Sequence, residues 1–62
     1  MSSREIFKRL KKDGWFLVKV VGSHHHFKHP SKTGKVTVKH PAKDFPIKTL
    51  KSIEMQSGLS LR

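Results

Sequence analysis

The spacing of apolar and polar residues changes period along the chain, and each change marks an element. Between Ser2 and Lys12 the apolar residues Ile6, Phe7 and Leu10 share one helical face, with Arg4, Lys8, Lys11 and Lys12 around the polar side. Ser2-Ser3-Arg4-Glu5 forms a capping box, in which Ser2 caps the helix and Glu5 reaches back to it. Asp13-Gly14 stops the helix, since glycine takes the left-handed terminal conformation readily. Trp15 to Val21 is apolar and rich in β-branched residues, which predicts a strand. Gly22-Ser23 reads as a tight hairpin turn with glycine first, as a type II′ turn prefers. A second strand runs from His24 to His29 and ends at Pro30, and a third covers Val36 to Lys39. Between them Ser31 to Lys35 is a polar loop. After His40-Pro41 and the loop 42–45, Pro46 opens a second helix that buries Ile47, Leu50 and Ile53 and ends at Gly58. Leu59 to Arg62 are either loose or packed through Leu59 and Leu61.

This order, helix-strand-strand-strand-helix, predicts an α+β fold in one domain spanning residues 1–62. Short links make the three strands an antiparallel meander. Both helices then bury their apolar faces on one side of the sheet, and the other side is open. Trp15 and Phe16, following directly on a helix stop, are expected in the core.

Alternation along the second strand assigns its side chains. Phe27 is the one large apolar residue, so it faces the helices together with His25 and His29. His24, His26 and Lys28 project from the open side. In the third strand Val36 and Val38 point inward, and Thr37 and Lys39 outward. A bulge at Gly22 or within the histidine run would shift this register by one residue. His25 and His29 are read as packed or hydrogen-bonded structural residues, and His40 as a hydrogen-bonded turn residue.

Charge says what such a face would meet. Fourteen Lys and Arg oppose four Asp and Glu, for a formal net charge of +10. A surface this basic calls for a polyanion. The basic residues are spread along the chain, not gathered on one amphipathic membrane-binding helix, so nucleic acid is favoured. No run of residues has the length and apolarity of a membrane span, and no apolar signal segment is present, which makes the cytoplasm the expected location. Cysteine is absent, so neither disulfides nor thiolate metal sites contribute. His24 and His26 share a strand face and could pair on a metal, but no cysteine or nearby carboxylate completes a zinc set. No acidic cluster exists to hold magnesium, and no cofactor or metal is expected. Two imidazoles among ammonium groups suit an RNA phosphodiester: lysines attract phosphate, and imidazole moves protons near neutral pH.

Several stretches of the chain also carry a family resemblance. Asp13-Gly14-Trp15, followed by Gly22-Ser23-His24-His25-His26-Phe27-Lys28-His29-Pro30, resembles the central motif of HicA toxins. Val36-Thr37-Val38, His40-Pro41-Ala42-Lys43-Asp44, Thr49-Leu50-Lys51-Ser52-Ile53 and Gly58-Leu59 are similar to that family's C-terminal half. The resemblance implies a double-stranded-RNA-binding-domain-like α-β-β-β-α fold. It implies an endoribonuclease that cleaves messenger RNA, inhibits translation and arrests growth, and a HicB-type antitoxin that covers the active face. With no acidic cluster present, the cleavage is expected to be metal-independent and its substrate single-stranded messenger RNA.

The family's Gly-[Ser/Gly]-His pattern places the catalytic histidine on His24. Members with Gly-Ser-Asn-His point instead to His25, and open-face alternation favours His24. His26 and Lys28 are then candidate assistants in proton transfer or phosphate stabilisation. Gly22 serves the turn geometry, and Lys28, Lys39 and Thr37 serve RNA binding. Ile47-Lys48-Thr49 departs from the glycine that many relatives carry before the threonine. The alternative function is a non-catalytic RNA-binding module using the same charge.

Overall fold

The computed structural model describes residues 1–61. Helix α1 spans Ser3–Lys12, strand β1 Phe16–Val21, β2 His24–Lys28, β3 Val36–Lys39, and helix α2 Ile47–Ser57. The strands form one antiparallel sheet in the order β1-β2-β3. This is the α-β-β-β-α order that the hydrophobic pattern predicts.

Local sequence explains the element ends. The Ser2 hydroxyl accepts from the Glu5 backbone N–H, and the Glu5 carboxylate accepts from the Ser2 N–H, closing the capping box. At the other end of α1, Gly14 has φ +103°, and a Cβ there would stand 2.9 Å from His29 Nε2. Glycine is therefore required twice over, by backbone conformation and by close approach. In the hairpin, Val21 pairs with His24, and Gly22 alone in the two-residue loop has positive φ, +59°. That combination of signs belongs to the type II′ turn. Pro46 is the N-cap of α2, one residue before the helix proper, and left-handed Gly58 caps its C-terminus.

One core unites the layers. Ile6 and Leu10 of α1 and Leu50 and Ile53 of α2 meet Phe27, Val36 and Val38 of the sheet, with Trp15, Phe45 and Leu61 closing the margins. Both helices thus cover the same sheet face. The C-terminal segment packs through buried Leu61 and half-buried Leu59, with the Leu61 N–H donating to Glu54 at 2.7 Å.

Two expectations about the core fail. Ile47, the first residue of α2, is 61% exposed, whereas Leu50 and Ile53 farther along the helix are buried. Phe16 is 49% exposed, whereas its neighbour Trp15 is buried. Phe16 pairs with Lys28, so alternation carries it to the open face. Trp15 precedes β1 and is held by its indole N–H, which donates to the Asp13 carboxylate at 3.1 Å.

Candidate active site

Register decides which side chains gather on the uncovered face. Phe27 is buried against the helices, so in β2 the alternate residues His24, His26 and Lys28 point the other way. Cross-strand partners share a face. His24 lies between Val21 and Lys39, and His26 between Lys19 and Thr37, while Lys28 is opposite Phe16. The sheet does contain a bulge, but it falls in β1 between Leu17 and Lys19. The histidine run itself is regular, which is why the alternation rule holds there.

His26 occupies the middle of this face. Its Nδ1 is 3.0 Å from the Thr37 hydroxyl. Whichever group supplies the proton, the bond engages Nδ1 and leaves Nε2 to act on a ligand. Partial burial, and then the positive charges of Lys35 and Lys19 with His24 and His25 beside it, hold the His26 pKa below its ordinary 6.5. That environment favours the neutral ring. His24, nearer the hairpin, is exposed and stands two residues along the same strand, about 7 Å away at the ordinary strand rise. The open face thus brings together two imidazoles, the Thr37 hydroxyl and the ammonium groups of Lys19, Lys28 and Lys39.

The remaining histidines make contacts within the fold. His25 points to the helix side, its ring 5.4 Å from Phe7 and 5.1 Å from His40. His40 packs on Phe7 at 4.8 Å and bonds through Nδ1 to the buried Ser3 hydroxyl at 2.7 Å. His29 Nε2 donates to the Asp13 carbonyl at 2.6 Å, and its Nδ1 accepts the N–H groups of Ser31 and Lys32. It therefore ties the end of α1 to the loop between β2 and β3. Sequence reasoning did not single out Ser3. Its hydroxyl also accepts the Ala42 N–H at 3.1 Å, joining the start of α1 to the segment after β3. A small polar residue just inside a helix cap is too common to advertise that role.

Acid groups are absent from the site because each has work elsewhere. Glu5 closes the cap, Asp44 pairs with the N-terminal amine at 2.9 Å, and Glu54 accepts from Leu61. Asp13 accepts from Lys32 and from Trp15, and the Lys32 bond above all lowers its pKa. Among the described residues no group of three His, Cys, Asp or Glu side chains is placed to hold a metal ion. A concavity of about 390 Å³ at the start of α1, lined by Ser2, Ser3, Arg4 and residues 40–43, includes none of the open-face histidines. Among the described residues no helix is long and apolar enough to cross a membrane.

Two comparisons with known proteins bear on this arrangement. A search among curated proteins finds no match. A family model described as the HicA toxin of bacterial toxin–antitoxin systems matches residues 3–59, which includes every element of the fold and the whole open face.

Proposed function

Because the chain belongs to the HicA toxin family, and so is the toxin of a toxin–antitoxin system, we propose that it acts as a metal-independent endoribonuclease on messenger RNA, with its chemistry on the open sheet face. The observation that carries this reading is the placing of His24 and His26 on one uncovered face amid lysines, with no carboxylate among them. The result inside the cell would be inhibited translation and arrested growth, with the cytoplasm as the place of action.

Strand geometry suits one phosphodiester between the two imidazoles. Each ring would lie within hydrogen-bond reach, about 2.6–3.2 Å, of an oxygen on opposite sides of the phosphorus. One imidazole takes the proton of the ribose 2′-hydroxyl as that oxygen attacks the adjacent phosphorus. The bond from phosphorus to the 5′ oxygen breaks, and the other, protonated imidazole supplies the leaving oxygen's proton. The products are a 2′,3′-cyclic phosphate and a 5′-hydroxyl. His24 is the principal acid or base, and His26 its partner, oriented by Thr37. Lys28 and Lys39 hold the phosphate and balance the charge that builds on its oxygens. His25 is a poor substitute because it packs on Phe7 and His40. Gly22 supplies the positive φ that lets β2 begin at His24.

The antitoxin of the system would neutralise the protein by covering His24 and Lys28, so that it and RNA compete for one face. The deciding experiment incubates the purified protein with RNA in EDTA and compares it with His24→Ala. Cleavage to cyclic-phosphate ends by the wild type alone supports the proposal. Binding without cleavage would make the protein a non-catalytic RNA-binding module, and activity lost in EDTA and restored by zinc or magnesium would demand a metal.

A further inference from the structure

The two edges of the sheet are finished differently. At β3 the edge is four residues long, α2 packs beside it, and the outward Thr37 N–H donates to the Gln56 side chain at 3.2 Å. At β1 the edge is six residues long and every residue is exposed. Phe16, Leu17, Val18, Val20 and Val21 each show about half of their surface, and among the described residues no side chain caps the outer backbone groups. Leu17 and Val20 pair with Phe27 and His25 and so lie on the helix side, while Phe16 and Val21 lie on the open side. The helices therefore stop short of β1, and the sheet protrudes beyond its cover with apolar side chains on both faces.

A long apolar edge of this kind is a template for another strand, and natural sheets normally blunt it. The β1 bulge and Lys19 are modest deterrents beside five large apolar residues. From this contrast we propose that β1 is the docking edge for a strand of an acidic protein, which extends the sheet and buries apolar side chains on both of its faces. The inference rests on the reading of this chain as a toxin neutralised by its antitoxin, and it names the element by which the antitoxin docks.

Charge selects the partner. Lys19 is the sole polar residue of β1, Lys28 pairs with Phe16, and Lys39 lies two strands away from Val21 across His24. All four acidic residues of the chain are already engaged in its own contacts. A docking protein must therefore bring the negative charge itself. A second copy would add another ten positive charges to a protein that already carries +10. RNA would use the lysines but has no need of an aliphatic edge. A partner strand paired to β1 would also run alongside the column that holds Lys19 and His26, close enough to shield the histidines.

Hydrogen exchange on the wild-type protein tests the pairing, using the purified antitoxin of its own toxin–antitoxin pair. Amides of residues 16–21 should slow when the antitoxin is added. Val18→Thr with Val20→Thr keeps the branched shape and the charge. It should weaken antitoxin binding on the order of tenfold and leave RNA cleavage by the toxin alone unchanged. A neutralised complex in which residues 16–21 exchange as fast as in the free toxin would overturn the proposal while leaving the neutralisation reading intact. Protection of β1 that arises from self-association or from RNA alone would overturn it equally. An antitoxin that binds nowhere on the protein would remove both readings together.

Discussion

Alternate positions of β2 carry histidine to opposite ends of the protein's needs. His25 and the neighbouring His29 are enclosed by aromatic rings and backbone groups, and every contact they make belongs to the fold. His24 and His26, on the same strand, face outward among cations, and the His26 ring bonds to Thr37. The residue type is identical and the separation is one position. What differs is the face, so histidine as such is not a functional marker here. The candidate site is set apart by which imidazoles face outward among cations, not by how many the chain carries.

The sharpest break of this contrast is His24→Ala. It should lower RNA cleavage by on the order of 10² or more, with the fold intact by circular dichroism. His25→Ala should cut RNA at a temperature where it remains folded. Equal losses from both, measured on folded protein, would erase the distinction between the faces.

His29→Ala sharpens the structural side. It strands the Asp13 carbonyl and the N–H groups of Ser31 and Lys32. The cost should be about 1–3 kcal/mol, read as a fall in Tm of roughly 4–8 °C per kcal/mol. Gly14→Ala should act through the same contact, since the added methyl meets His29. Unchanged thermal denaturation of both variants would show that this corner does not hold the fold.

Smaller effects are expected at the cations. Lys28→Ala and Lys39→Ala should weaken RNA binding about equally for all sequences, and each should reduce the salt slope by roughly one. A salt dependence identical to wild type in both would take the open face out of phosphate binding.

The subtlest test is the titration of His26. Its lowered pKa means that the unfolded chain binds the proton at a higher pH than the folded one. Its contribution to stability is therefore complete above about 6.5 and declines as pH falls through the interval below it. An NMR titration of the ring should show a midpoint under 6.5, moving upward when Lys35 or Lys19 is made neutral. A midpoint at or above 6.5 would contradict the environment described for it.

Alternation was enough to sort the histidines because Phe27 can point only one way, and because the bulge happened to fall in β1. Phe16 was expected in the core from its place after the helix stop, whereas alternation from its pairing with Lys28 carries it to the open face. An edge strand that outreaches its helices looks, in sequence, like a buried one. The expectation for Ile47 also failed: helical spacing groups it with Leu50 and Ile53, but as the first residue of α2 it stays exposed.

The sequence by itself determined the element order, the capping box, the turn at Gly22, the family and the side of β2 on which each histidine lies. These depend on local backbone preference and on periods of 2 and 3.6 residues, which neighbours along the chain encode directly. Tertiary structure alone decided that Thr37 engages His26, that Ser3 holds His40, that every acid is occupied away from the open face, and that β1 remains uncovered. Those outcomes depend on cross-strand register and on how far two helices extend over a sheet, distances set between segments far apart in sequence.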